Sequence, residues 1–152
     1  MVKKGFRVRQ YRTSDFGSLK AIWEACDMQL DETDSAQALA KNLRRFRNGF
    51  RVLVIEASRS ARGKVRCLAG GAVITFDGHR AYVYHLVVHP DFRDAGLGRV
   101  LLETCERQAL AWGARHLRLT SRTDASRANA RRMYEAAGWR ARKELWVYSR
   151  DL

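Results

Sequence analysis

The 152-residue chain predicts a mixed α/β fold, a mostly antiparallel central sheet with about four helices. Three observations carry that prediction. Residues 50–89 read as three successive strands, an antiparallel meander by sequence. A glycine-containing loop then leads into a long amphipathic helix over 96–112. A strand, a helix and a further strand region follow over 116–149.

Each element has its own signal. Residues 6–11 alternate (Phe6, Val8 and Gln10 against Arg7, Arg9 and Tyr11) and read as an opening strand. Thr13-Ser14-Asp15 offers helix N-caps, and Leu19, Ile22, Trp23 and Cys26 recur at helical spacing up to about Asp27. An acidic stretch follows, with Asp27, Asp31, Glu32 and Asp34. A second helix is expected over 35–47, with Leu39, Leu43 and Phe46 on one face and Asn48-Gly49 as its stop. Residues 50–57 form a strongly apolar strand, 58–64 a polar turn, and 65–76 another strand. Within the last, Gly70-Gly71 marks a bulge or a close backbone approach. Asp77-Gly78 signals a hairpin turn, and the strand at 80–89 stops at Pro90, the only proline. In the helix at 96–112, Leu101, Leu102, Cys105, Ala109 and Trp112 share the core face, and Gly113 closes it. Residues 116–121 read as a short strand, 126–137 as a helix ended by Gly138, and 139–149 as a final strand region. No repeat or linker interrupts the chain, so residues 1–152 are expected to form one domain.

Composition narrows the function classes. Hydrophobic residues make up 46% and charged residues 30%, values of a globular chain. No apolar run approaches the roughly 20 residues that span a bilayer. Residues 1–5 lead into strand-like alternation instead of an apolar signal core, so a cytoplasmic protein is expected. Cys26, Cys67 and Cys105 are widely spaced and odd in number. They support neither a metal site nor a disulfide framework, and they fit a reducing compartment. The formal net charge of +13 favours an anionic partner. Arginine supplies 23 of the 29 cations, a skew compatible with bidentate phosphate recognition. Base composition alone produces the same skew and is the simpler reading.

The most informative segment joins the long strand to the long helix: Val87-Val88-His89-Pro90-Asp91-Phe92-Arg93-Asp94-Ala95-Gly96-Leu97-Gly98-Arg99. A helix N-terminus presents unpaired N–H groups and a partial positive charge. Glycines there let the backbone close on a pyrophosphate, and Arg93 and Arg99 add fixed charge. No Gly-Lys-Ser/Thr follows, so this is not a P-loop, and the dinucleotide fingerprint is absent.

Arg93-x-x-Gly96-x-Gly98 after a strand resembles motif A of the GNAT superfamily of N-acetyltransferases. Tyr134-Glu135-Ala136-Ala137-Gly138-Trp139 resembles that family's Tyr-x-x-x-Gly-aromatic signature, one strand and one helix later. The resemblance covers nearly the whole chain in the family's element order. It implies the GNAT fold and transfer of an acetyl group from acetyl-CoA to a primary amine by direct attack on the thioester, with no metal. Cofactor contacts are then expected from Leu86, Val87 and Val88, by backbone, and from Arg93, Asp94, Ala95, Gly96, Leu97, Gly98 and Arg99. The strand bearing the first three splays from its neighbour in the family. The family's usual Asn, seven residues before the signature Tyr, is replaced by Arg127, with Asn129 two places off register.

Tyr134 matches the family's general acid, which protonates the leaving thiolate. Members with a side-chain base carry Glu or His four or six residues before the position of Val88, where this chain has Tyr84 and Tyr82. His85 has the chemistry of a base. Simple alternation, however, puts it with Val83 and Val87, opposite Tyr82 and Tyr84, unless a bulge intervenes. Water-mediated deprotonation near Tyr84 is therefore the expected arrangement. The resemblance puts the acceptor site at the first two helices and their connection, where Asp27, Asp31, Glu32 and Asp34 would attract an ammonium group. Their structural alternative is a solvated loop with Asp34 or Ser35 capping the second helix. Pairing of the aromatic C-terminal strand region between subunits would make a homodimer. Two alternatives stand beside the enzyme: a basic nucleic-acid- or ribosome-associated domain, and an acetyl-CoA-binding sensor without catalysis. Against the former, no stacking surface or nucleic-acid motif is found, and Arg44-Arg45-x-Arg47 and Arg131-Arg132 read as solvated helix faces.

Overall fold

The central strands are apolar on both faces, and both faces are covered by helices. The computed structural model describes residues 5–58 and 66–150. Most of the turn expected at 58–64 lies outside the described residues. The chain divides into two compact units at Thr120/Ser121.

In the first unit β1 (Phe6–Gln10), β2 (Phe50–Ser58), β3 (Arg66–Phe76), β4 (Ala81–Val88) and β5 (Leu117–Leu119) form one sheet in that order. The first four strands are antiparallel, and β5 joins β4 in parallel. Helices α1 (Phe16–Ala25) and α2 (Ala36–Arg45) lie between β1 and β2 in the chain, and α3 (Leu97–Ala111) between β4 and β5. The meander and the mixed α/β class are as expected.

Alternation in β2 splits the core in two. Leu53, Ile55 and Ala57 pack with Leu97, Leu101, Cys105 and Ala109 of α3. Val52 and Val54 pack with Leu19, Ile22 and Trp23 of α1 and Leu39 of α2. Burial of one such leucine contributes about 2 kcal/mol. Cys26 and Cys105 are buried at the expected apolar positions.

The helix ends differ in detail from expectation. Thr13–Asp15 form a 3-10 turn before α1. The Asp15 carboxylate accepts from the Arg12 N–H (2.6 Å) and pairs with the Arg9 guanidinium. Ser35 caps α2, its Oγ accepting from the Ala38 N–H at 3.2 Å. Among the described residues no helix is long and apolar enough to cross a membrane.

The second unit contains α4 (Ala128–Ala136), preceded by a 3-10 turn at Ala125–Arg127. The strand expected over 139–149 does not form. Its alternation supplies an apolar face, but a strand also needs a ladder for its backbone groups. Among the described residues 139–149 form no β-ladder, and Trp146 and Tyr148 are 85% and 90% exposed.

Candidate active site

The shape of β4 is set by glycine on β3. A Cβ on Gly70 would stand 2.5 Å from the Val87 carbonyl oxygen, and one on Gly71 would stand 2.9 Å from both Leu53 O and Leu19 Cδ1. Only hydrogen fits at either position. Beside this close approach the register changes: Gly71 pairs with Val87, but Val73 pairs with Tyr84. β4 thus holds one extra residue opposite Ala72, and His85 takes φ 48° in the left-handed region.

The bulge reverses the side-chain alternation. Val83 packs in the cluster beneath α3, whereas Val87 packs in the cluster beneath α1 and α2. This corrects the expectation for His85, which leaves the Val83 face and shares the α1/α2 side with Tyr82 and Tyr84. Its ring lies against Trp23, centroids 5.1 Å apart. The rings of Tyr82 and Tyr84 stack at 4.8 Å. Burial, with the neighbouring Tyr82, pushes the Tyr84 hydroxyl above the ordinary tyrosine pKa.

Asp34 meets His85 on that face. Its Oδ1 lies 2.7 Å from His85 Nε2, and the two side chains are only 11% and 17% exposed. Its Oδ2 accepts from the Asp31 N–H at 3.2 Å. A carboxylate oxygen only accepts, so facing it Nε2–H is the donor. Two of the four carboxylates of the acidic stretch, Asp31 and Asp34, are thus engaged in hydrogen bonds within the protein. Asp31 accepts from the Thr33 N–H at 2.7 Å, and hydrogen bonds from Thr33 hold its carboxyl below the usual range. Asp27 and Glu32 are exposed.

After Val88 the chain enters the expected loop. β5 pairs with β4 only over Ala81–Val83, so no strand pairs that edge of β4 at Leu86, Val87 or Val88 among the described residues. Pro90–Phe92 form a 3-10 turn, Asp94 sits at φ 60°, and Gly96 at φ 76° is the N-cap of α3. No side chain caps that helix. The first N–H groups, at Leu97, Gly98 and Arg99, consequently have no intrahelical acceptor. Leu97 is buried and anchors the turn, Ala95 is half-buried, and Arg93, Asp94 and Arg99 are exposed. Arg93 reaches back to Cys26 Sγ (3.8 Å), and Arg99 pairs with Glu103 at 3.0 Å.

In the second unit, Tyr134 and Trp139 approach with ring centroids at 6.2 Å. Burial raises the Tyr134 hydroxyl above its ordinary pKa, opposed by the Arg127 charge. The Asn129 side chain accepts from Arg132.

A cavity of about 850 Å³ opens on the first unit. Its lining includes Thr33, Arg44 and Arg45 at the C-terminal end of α2, Arg47 just beyond it, and Val73, Thr75 and Tyr84 of the sheet. Sequence reasoning missed both this cavity and the pairing of Asp34 with His85. Gly70-Gly71 was the only local signal for the bulge beneath them.

A mixed sheet with an unpaired strand edge beside an uncapped, glycine-started helix is an arrangement suited to a phosphate-bearing substrate. The GNAT acetyltransferase family matches residues 11–139. An acetyltransferase of Pectobacterium atrosepticum is 32% identical over 117 residues, 77% of each chain. One of Yersinia enterocolitica is 33% identical over the same length, again 77% of each. The fold is shared with glucosamine-6-phosphate N-acetyltransferase of Arabidopsis thaliana (TM-score 0.71, 17% identity, 96% and 99% of the two chains). It is shared too with an aminoglycoside acetyltransferase from a soil metagenome (TM-score 0.73, 16% identity, 100% and 99%). The chain belongs to the GNAT family and is an N-acetyltransferase.

Proposed function

We infer that this N-acetyltransferase binds acetyl-CoA along the β4 edge and the α3 N-terminus, and that His85 deprotonates the acceptor amine. The observation that carries the reading is the His85–Asp34 pair on the face opened by the bulge. The donor set at the loop fits a pyrophosphate: an uncapped helix start, Gly98 and the cations Arg93 and Arg99. Ala95, Gly96 and Leu97 shape its backbone, and Leu86, Val87 and Val88 offer backbone groups to the pantetheine arm and thioester. Bound there, acetyl-CoA supplies the activated acetyl group.

The chain's own residues then have separate tasks. Asp34 holds the imidazole by Nε2–H, so that Nδ1 accepts the ammonium proton. A backbone N–H of the Leu86–Val88 segment polarises the carbonyl oxygen. Tyr134 returns a proton to the thiolate; a phenol is protonated at neutral pH, and burial moves the Tyr134 pKa further up. Tyr84 forms part of the acceptor wall and stays a neutral hydrogen-bonding group. Arg127 stands by for the cofactor phosphates. Asp27 and Glu32 remain exposed to attract an ammonium group towards the site. The whole chain acts as one acetyltransferase domain in this reading.

Thiol release from acetyl-CoA, assayed across an amine panel with His85→Gln, tests it. The expected result is a fall in kcat of about 100-fold with the KM for acetyl-CoA retained. Turnover equal to the parent protein would remove His85 from the reaction.

A further inference from the structure

We propose that the cavity walled by Arg44, Arg45 and Arg47 selects an acceptor that carries an anionic group, a carboxylate or a phosphate, on the same molecule as its amine. The proposal rests on the acceptor-side reading of His85 given above and deepens it.

The cavity lies on the α1/α2 side of the sheet, the side to which the bulge brings His85. Tyr84 and Thr33, the chain neighbours of His85 and Asp34, both line it. Its volume, about 850 Å³, falls within the range of small-molecule sites. Its walls combine apolar surface from Phe46, Phe50 and Val73 with polar groups, so a small molecule can be held by more than charge.

The charge distribution is one-sided. Arg44, Arg45 and Arg47 line the cavity, and none of them makes an ion pair among the described residues. Asp77 is the one carboxylate in the lining, and its Oδ1 already accepts from the N–H groups of His79 (2.7 Å) and Arg80 (2.6 Å). The α2 dipole accounts for a cation in the last turn, but its reach ends within that turn. Arg47 lies beyond the end of α2 and lines the same space. Guanidinium groups without carboxylate partners offer planar, bidentate donors suited to carboxylate or phosphate oxygens. His85 and Asp34 are not themselves in the lining; Tyr84 and Thr33 are the lining residues beside them in the chain, and Asp34 pairs with His85. In the proposed acceptor pose the anion lies against the arginines and the amine at the Tyr84 and Thr33 end, the end next to His85 in the chain.

The test uses matched pairs of amines that differ in one anionic group. Phosphoethanolamine is compared with ethanolamine, and phenylalanine with phenylalaninamide. Affinity for each is measured by calorimetry on the full chain and on the Arg44→Gln/Arg45→Gln/Arg47→Gln variant. At least one anionic member is expected to bind about tenfold or more tightly than its neutral counterpart, and the preference is expected to vanish in the variant. The pair that shows the preference identifies the anion as phosphate or carboxylate. Equal affinity within both pairs, or a preference that survives the triple substitution, overturns the proposal. Conserved melting temperature in the variant and a melting-temperature rise with acetyl-CoA in both proteins are read alongside. An acetyl-CoA response without anion preference defeats the cavity assignment alone. Anion preference without an acetyl-CoA response supports the cavity assignment and defeats the cofactor reading.

Discussion

The carboxylate of Asp34 and the imidazole of His85 meet at 2.7 Å although 51 positions separate them in the chain. One partner comes from a 3-10 turn before α2, the other from a bulge in a central strand. A side-chain amide in place of the carboxylate keeps the shape but loses the charge-assisted acceptor. Asp34→Asn is therefore expected to lower kcat about tenfold while leaving the KM for acetyl-CoA in place. Steady-state kinetics with both substrates varied separate this from a fold defect, which would move both constants and the melting temperature.

Arg9 ties β1 to its surroundings. It donates to Asp15 at 2.6 and 2.8 Å and to Glu56 at 2.6 Å, all three side chains being nearly buried. The guanidinium holds both carboxyls below their usual pKa. Such groups bind fewer protons folded than unfolded, so their stabilisation is complete above the unfolded carboxylate range. It is lost as pH falls from about 5 through the depressed values. Arg9→Met should cost about 2 kcal/mol at pH 7 and flatten the acid limb of the stability curve. Urea unfolding at pH 7 and at successively lower pH measures both effects.

Gly70 and Gly96 are required for different reasons, and alanine separates them. At Gly70 the added Cβ meets the Val87 carbonyl oxygen at 2.5 Å, so β3 and β4 must move apart. The expected cost is about 3 kcal/mol, with loss of the His85 geometry. At Gly96 nothing lies within 4 Å of an added Cβ, and only the positive φ of 76° opposes it. The cost there should be about 1 kcal/mol. Chemical denaturation of the two variants checks the ranking, and equal losses would contradict it.

Tyr134→Phe removes the phenol and keeps the ring that packs against Trp139. Cofactor affinity should be retained while kcat falls about 100-fold. Because burial raises the Tyr134 pKa, the active protonated form persists as pH rises through the ordinary tyrosine range near 10. The parent protein should therefore keep its Tyr134-dependent rate to the alkaline side of that value. A pH–rate profile of both proteins shows whether the difference between them closes earlier.

The local patterns were legible in the sequence to the extent that each is a short-range matter. Leu101, Cys105 and Ala109 marked the buried face of α3, and the loop from His89 to Arg99 marked its entry. Gly70-Gly71 announced a close approach before any partner was known. The region 139–149 shows where such reading stops, because alternation names a face without naming a ladder.

Sequence by itself determined the order of elements as far as α4, the mixed α/β class and the family of this N-acetyltransferase. These follow from periodicity, turn chemistry and motif spacing, which act over a few residues. The tertiary structure alone decided which face His85 occupies. Side-chain parity along a strand has period two, so one extra residue opposite Ala72 sends His85 across the sheet to Asp34. That residue is accommodated where Gly70 and Gly71 let β3 and β4 approach, a contact between chain segments that neither segment encodes alone.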